Sequence, residues 1–490
     1  MDDNTKNHSR VKHDASRTSR DHQYDQHDFL YSRKGPWPQP SPVHPWGESP
    51  AVIHVPLRER LDWWFWIGSR YLIYLLLTPY YAVKALMLRG LKPVSDSEFE
   101  QFFNQSMLVK FITSQLDDVD RDVFNGILQQ EQQNWHIVDF QAVESVKPFK
   151  GIHVSATKTL LYQQGDRFKV RAIYIDATAS VISPDDSGWA LAKYFVLQGG
   201  ALCSTLVTHP LQHFPFDSIN AITKTALPKT HVLHQLLTPH MRFTLPLENA
   251  VLNYKSSLLQ SKWYMVYAPY PGGPSGLRDL LVDGYKGIKG NLSYPPFSYQ
   301  MDAPNVEGPY GIYLTRYYEV IFAFVKRVLH HVEPDDFWVA KWADYCHQHV
   351  KAFPASDKIF EGDTLARAVA TYIFTVSVSH SVDHYSYGKF NKRQIPLRIR
   401  QSPPTASTSM KPRSQLVTWY DMMKYFMADR LFFSPTTITT LAESQYAFMD
   451  SEQQQAVEEF KTALLIAENE LIERGVNYMP LDEIAASIQF

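Results

Sequence analysis

The chain has 490 residues, 44% hydrophobic and 20% charged, enough apolar material for a large globular core. A formal net charge of −2 excludes a nucleic-acid binder that works through bulk positive charge. The two cysteines, Cys203 and Cys346, are too few for a disulfide framework or a cysteine zinc cluster, and a reducing compartment is the simplest reading.

The opening segment, MDDNTKNHSRVKHDASRTSRDHQYDQHD, is polar and nearly free of large apolar side chains. It cannot bury enough surface to offset its chain entropy, so disorder is expected. It also lacks the apolar centre of a secretory signal, which gives a cytoplasmic expectation. The Pro-rich passage KGPWPQPSPVHPW reads as an extended arm. Residues 1–50 are therefore expected to be a disordered, Pro-rich arm, and 51–490 a single domain. Residues 61–88, LDWWFWIGSRYLIYLLLTPYYAVKALML, form the most hydrophobic run, about bilayer length. Arg70, Pro79 and Lys84 interrupt it, and a charge at mid-membrane is costly. The run reads as a buried or lid-like helix, with peripheral membrane contact as the alternative because its Trp and Tyr rings suit an interface.

Residues 95–146 read as helical with polar joints. ISPDDSGWALAKYFVLQ opens another helix, with Asp186 or Ser187 as N-cap. The stretch from Asn220 is a helix broken at Pro228, a second helix, and bends near Pro239 and Pro246. Residues 309–351 predict a long helix and a shorter one. DTLARAVATYIFTVSVSHSVDHYSYG predicts a long helix buried on most sides. DSEQQQAVEEFKTALLIAENELIERG is an amphipathic surface helix. The final residues, EIAASIQF, turn apolar, which is unusual for a terminus. No internal repeat is visible. The fold class is mainly α, built around long central helices with little β-structure.

Two histidine pairs carry the chemistry. His380 and His384 are four apart in an apolar helix, so both imidazoles face one side, an arrangement that suits a metal with nitrogen ligands. His209 and His213 have the same spacing, but Pro210 between them permits a helix only near a first turn. His380 and His384 also read as a hydrogen-bonded core pair or a surface pair, and His209 and His213 as two loop or helix-start histidines. If Phe490 is buried, its α-carboxylate needs a cation.

Four blocks of the sequence resemble, in order, the catalytic domain of the lipoxygenases. These are WALAK (Trp189 to Lys193), LPKTHVLHQLLTPHMRFT, IFTVSVSHSVDHYSYGKFNKRQIPLRIRQSPPT, and the tail MPLDEIAASIQF. The likeness spans roughly 95–490, without the family's N-terminal β-barrel. It implies a non-haem iron site in which His380 and His384 fall on the family's second histidine pair. Phe490 falls on the terminal residue whose carboxylate binds iron.

The first pair departs from the family pattern, in which two histidines stand five apart around a π-type bulge. Counting from Lys193 places the two ligands on Ser204 and His209; counting back from the Pro-His-x-Arg block places them on Cys203 and Thr208. Three outcomes stay open. His209, His380, His384 and the Phe490 carboxylate hold iron, with water or Cys203 in the remaining position; His209 and His213 both bind; or no iron binds. Arg242 is a weak candidate for a substrate carboxylate and reads more simply as a helix-end charge. Leu245-Pro246-Leu247 stands where the family has a small residue at the oxygen approach.

If iron binds, the resemblance implies a dioxygenase. A ferric hydroxide takes a hydrogen atom from a bis-allylic CH₂ of a polyunsaturated fatty acid or related lipid, and the radical meets O₂ to give a hydroperoxide. The altered ligand helix leaves two alternatives: an iron-free lipid-binding or interaction module, and a hydroperoxide isomerase or other non-haem iron oxidase.

Overall fold

The computed structural model describes residues 46, 55, 57–88, 94–253, 269–389, 397–428 and 437–489. The arm expected over 1–50 lies outside these except for Trp46, whose ring stacks on Tyr285 at 4.1 Å. Phe490 also lies outside them.

The architecture is mainly helical, as the sequence suggests. The run from 57 to 88 is two helices, α1 (Leu57–Leu76) and α2 (Thr78–Leu88). Helix α3 (Asp96–Gln105) follows a capping box in which Ser95 and Glu98 satisfy each other's backbone N–H groups. The first central helix, α4, runs Trp189–Cys203, passes through a π-turn at Ser204–Thr208, and continues over His209–Ala226. Among the described residues it alone is long and apolar enough to cross a membrane, but 89% of its most apolar stretch is buried in the protein, so it is a core helix. After Pro228 come α5 (Val232–Leu237) and α6 (Thr244–Asn253), then α7 (Pro274–Lys286). Helices α8 (Gly308–Val328) and α9 (Phe337–His349) are the long and short pair expected over 309–351. The second central helix, α10, runs Thr364–Phe374, passes a π-turn at Thr375–Ser379, and continues over His380–Lys389. Helices α11 (Trp419–Ala428) and α12 (Ser451–Glu473) complete the set used below.

Two features differ from the sequence reading. A five-stranded antiparallel meander, β1 (Ile112–Thr113), β2 (Trp135–Asp139), β3 (Thr157–Gln164), β4 (Arg167–Ile175) and β5 (Ser180–Ile182), begins inside the stretch read as helical. In β2 four consecutive residues are buried, so the alternation that announces a half-buried strand is missing. The start of α4 also differs. Its N-cap is Gly188, while the Asp186 carboxylate accepts the Ser183 N–H at 2.6 Å. A side chain at Gly188 would run into the Thr405 carbonyl, so close packing rather than capping selects this residue. One turn on, Lys193 donates to Asp96 (2.6 Å) and to the Val94 carbonyl (2.7 Å), fixing α4 against α3.

Candidate metal centre

Each central helix breaks into a π-turn immediately before its histidine pair. A π-turn carries one residue more than an α-turn and frees backbone groups from the ladder. Local hydroxyls take up this slack: Thr205 Oγ1 donates to the Ala201 carbonyl (2.7 Å), Thr208 Oγ1 to Ser204 (3.1 Å), and Ser377 Oγ to Ile373 (2.5 Å). Pro210 falls in the first turn of the segment that resumes after the π-turn, where its missing N–H costs little. Helix α7 packs closely here. A Cβ at Gly284 would lie 3.0 Å from the Val207 carbonyl oxygen, so glycine lets α7 support the turn.

The two pairs meet. His213 Nε2 lies 2.9 Å from His209 Nε2 and 3.0 Å from His380 Nε2, and His384 Nε2 lies 3.2 Å from His209 Nε2. The ligand atoms of His209, His213 and His380 all fall within 4.8 Å of one another, and His384 joins the group through His209. On the opposite edge of its ring, His213 Nδ1 lies 2.8 Å from Glu248 Oε1 of α6. Glu248 is buried, and so is His213.

Hydrogen bonding alone does not account for this cluster. With Nδ1 donating to Glu248, His213 presents a single Nε2 lone pair. His209 Nε2 and His380 Nε2 both approach that one acceptor, and His384 Nε2 approaches His209 in turn. A cation at the convergence point uses these lone pairs together. Metal–nitrogen bonds of about 2.1 Å bring ligand nitrogens within roughly 3 to 3.5 Å of one another, and the observed separations of 2.9, 3.0 and 3.2 Å are of that size. The donor set of uncharged imidazoles suits iron among other first-row metals. Burial, followed by the neighbouring His213 and Lys110, holds the His209 imidazole well below its ordinary range. Burial, with the other three imidazoles and Lys110, does the same to His380. His213 is pushed down to about 3, mainly by burial. The rings therefore stay neutral and their lone pairs remain available near pH 7.

Polar groups brace the cluster from behind. Lys110 Nζ donates to both oxygens of Asp383 (2.7 Å each) and to Ser379 Oγ (3.1 Å). Gln212 Nε2 donates to Asp383 Oδ2 (2.6 Å) and Tyr310 to Oδ1 (3.0 Å). Gln212 and Asp383 each precede a ring of the cluster by one residue, so this network locks α4 against α10 beside the ligands.

The C-terminal tail runs into the same region. Its Ala485 N–H donates to Ser381 Oγ (3.0 Å), on the helix between His380 and His384. Gln489 is buried, and its Oε1 accepts from the Ile438 and Thr439 N–H groups (2.6 and 3.1 Å). His240 donates from Nδ1 to the Ala486 carbonyl (2.7 Å), so its Nε2 accepts from Tyr446 (3.0 Å). Burial pushes His240 down to about 4. Its folded value lies below the unfolded 6.5, so the unfolded chain binds the extra proton first. Stability contributed by neutral His240 is complete above about pH 6.5 and is lost as pH falls toward 4, on the order of 3 kcal/mol for this ring. Thermal unfolding of metal-free protein between pH 7 and 4.5 is expected to show this decline, with a shallower slope for His240→Gln.

Cys203 and Arg242 are engaged by other partners. Cys203 Sγ contacts Tyr294 Oη at 3.6 Å, and burial raises its thiol to about 12. Ser204 is fully buried in the π-turn. Arg242 forms a two-point ion pair with Asp62 of α1, both contacts 3.2 Å. Sequence reasoning missed Glu248, Lys110, Asp383 and His240. A lone acid in LPLENAVL and a lone lysine in MLVKF were the available signals.

No family model matches the chain. It is 25% identical over 297 residues to the epidermal-type polyunsaturated fatty acid (12S)/(13S)-lipoxygenase of Rattus norvegicus, covering 55% of this chain and 44% of that protein. It is 21% identical over 337 residues to a chloroplastic lipoxygenase 1 of Tanacetum cinerariifolium, covering 60% of this chain and 36% of that one. The chain thus spans less than half the length of these curated relatives. Its fold matches an anaerobic crystal structure of a lipoxygenase variant in complex with arachidonate, with a TM-score of 0.69, 16% identity, and 88% of this chain and 74% of that chain covered. It also matches manganese lipoxygenase of Gaeumannomyces graminis, with a TM-score of 0.65, 14% identity, and 84% and 85% of the two chains covered.

Proposed function

We propose that this chain, a divergent member of the lipoxygenase family, is a non-haem iron dioxygenase that converts a polyunsaturated fatty acid or related lipid and O₂ into a hydroperoxide. The observation that carries the reading is the convergence of His209, His213, His380 and His384 on one point, with the His213 tautomer set by Glu248. These four imidazoles would hold the metal. One-electron redox at a bound metal is the chemistry that turns a bis-allylic CH₂ and O₂ into a hydroperoxide.

The chain's own residues do the rest. Glu248 holds the proton on His213 Nδ1, which keeps Nε2 free and makes the ring a stronger donor. The Lys110–Asp383–Gln212 network fixes the separation of the two ligand helices. Burial keeps water and protons from the rings, so ligation competes with protonation only at acid pH.

Metal analysis of purified protein, covering iron and manganese, is the first test. About one metal per chain is expected, and less than about a tenth sinks the reading. The second test supplies linoleate or arachidonate in an oxygen electrode while following conjugated-diene absorbance. Oxygen uptake matched by diene formation is expected. Metal-loaded protein that consumes no oxygen with either lipid refutes the proposed substrate class.

A further inference from the structure

Helix α1 has two apolar faces. The inward one, with Trp63, Ile67 and Tyr74, is buried, and Trp63 and Ile67 pack with Phe243 and Ala250 of the α6 region. The outward stripe carries Leu57, Leu61, Phe65, Leu72 and Leu75, which recur at helical spacing and are 60, 59, 70, 59 and 62% exposed. A surface helix ordinarily presents charged residues on such a stripe. Helix α2 extends the patch with Tyr80, Val83 and Met87, 57, 56 and 76% exposed, while its inner side packs on α11. Apolar patches this continuous mark an interaction surface.

Charge and ring chemistry identify the occupant. The two acids of α1–α2 are both engaged by bases elsewhere in the fold: Glu59 accepts from Lys224 (3.0 Å) and Asp62 from Arg242. The segment's four bases, Arg58, Arg60, Arg70 and Lys84, outnumber them. Trp64 and Tyr71 stand exposed beside the stripe, as amphipathic rings do at a headgroup boundary. We propose that the α1–α2 segment is a docking face for the surface of an anionic phospholipid bilayer. It lies on the bilayer rather than spanning it, because five charged residues interrupt the 20 residues of α1 and its inner face is committed to α6. The same helix that meets lipid outside thus rests inside on the element that carries Glu248. Docking therefore brings a lipid source to the end of the molecule where α6 meets the histidine cluster. The proposal does not depend on metal binding or turnover.

Flotation of the full chain with vesicles tests it directly. Vesicles of phosphatidylcholine containing about one-fifth phosphatidylserine are compared with phosphatidylcholine alone. The wild-type chain is expected to float with the anionic vesicles and to bind neutral ones more weakly. The triple variant Phe65→Ser, Leu72→Ser, Leu75→Ser loses at least ~30-fold in partition, since each change removes a buried-on-docking side chain. The control pair Leu465→Ser, Ile472→Ser, at exposed apolar positions of α12, leaves binding unchanged. All substitutions lie on exposed positions, and circular dichroism confirms the fold. Wild-type chain that stays with the dense fraction overturns the proposal, as does a triple variant that floats like wild type. Equal binding to neutral vesicles overturns the anionic assignment. Self-association abolished by the triple variant, without vesicle binding, assigns the face to a second copy and overturns it too.

Discussion

His213→Gln is expected to strip the centre of its metal, to about a tenth of the wild-type content or less in purified protein. His213 makes the two shortest Nε2 separations of the cluster, 2.9 Å to His209 and 3.0 Å to His380, and it is the ring that Glu248 orients, so its loss removes a central donor. His384→Gln is expected to lose less, because its Nε2 lies 3.2 Å from His209 Nε2, farther than either of the two separations that His213 makes. Cys203→Ser is the informative contrast. Its thiol faces Tyr294, so metal content is expected to stay at the wild-type level. A Cys203→Ser variant that loses metal while His213→Gln keeps it reverses the ligand assignment. Plasma emission spectrometry on variants that retain wild-type circular dichroism makes the comparison.

The second large effect is at Glu248. Glu248→Leu removes the acceptor for His213 Nδ1–H and frees the ring to rotate or to move its proton to Nε2. Metal affinity measured by chelator competition is expected to fall by about 10- to 100-fold. Glu248→Gln keeps an acceptor oxygen but removes the negative charge. It is expected to keep most of its metal and to show a higher reduction potential, because an uncharged partner makes His213 a weaker donor to the oxidised metal. Equal metal affinity in wild type and the Leu variant contradicts the orienting role.

The helical architecture was legible because its signals are long. The apolar period around His380, the charged amphipathic run from Ser451 and the break at Pro228 each extend over many residues. The sheet was not legible, since β1 is two residues long and β2 is buried on both faces. The spacing of each histidine pair could be read directly. What a linear count could not resolve was which residue before His209 would join it. Counting from Lys193 pairs Ser204 with His209 and counting back pairs Cys203 with Thr208, whereas the ring that meets His209 is His213, four residues after it. Glu248 was invisible for a different reason. Its role exists only because α6 folds back across α4, and a sequence shows an acid without showing what it faces.

The two π-turns have a consequence for how this chain can vary. One residue beyond the α period rotates everything after it by about 100° relative to everything before. In α4 the segment before Ser204 is buried almost throughout and serves packing, whereas the segment after Thr208 aims His209 and His213. The turn is a phase slip between a packing register and a ligand register within one rod. A change of length ahead of the slip leaves the ligands in register as long as the slip itself keeps its place. The imidazoles are thus indexed from the slip and not from the tryptophan that opens the helix. A chain can drift far in its packing half and still deliver the same four nitrogens to one point.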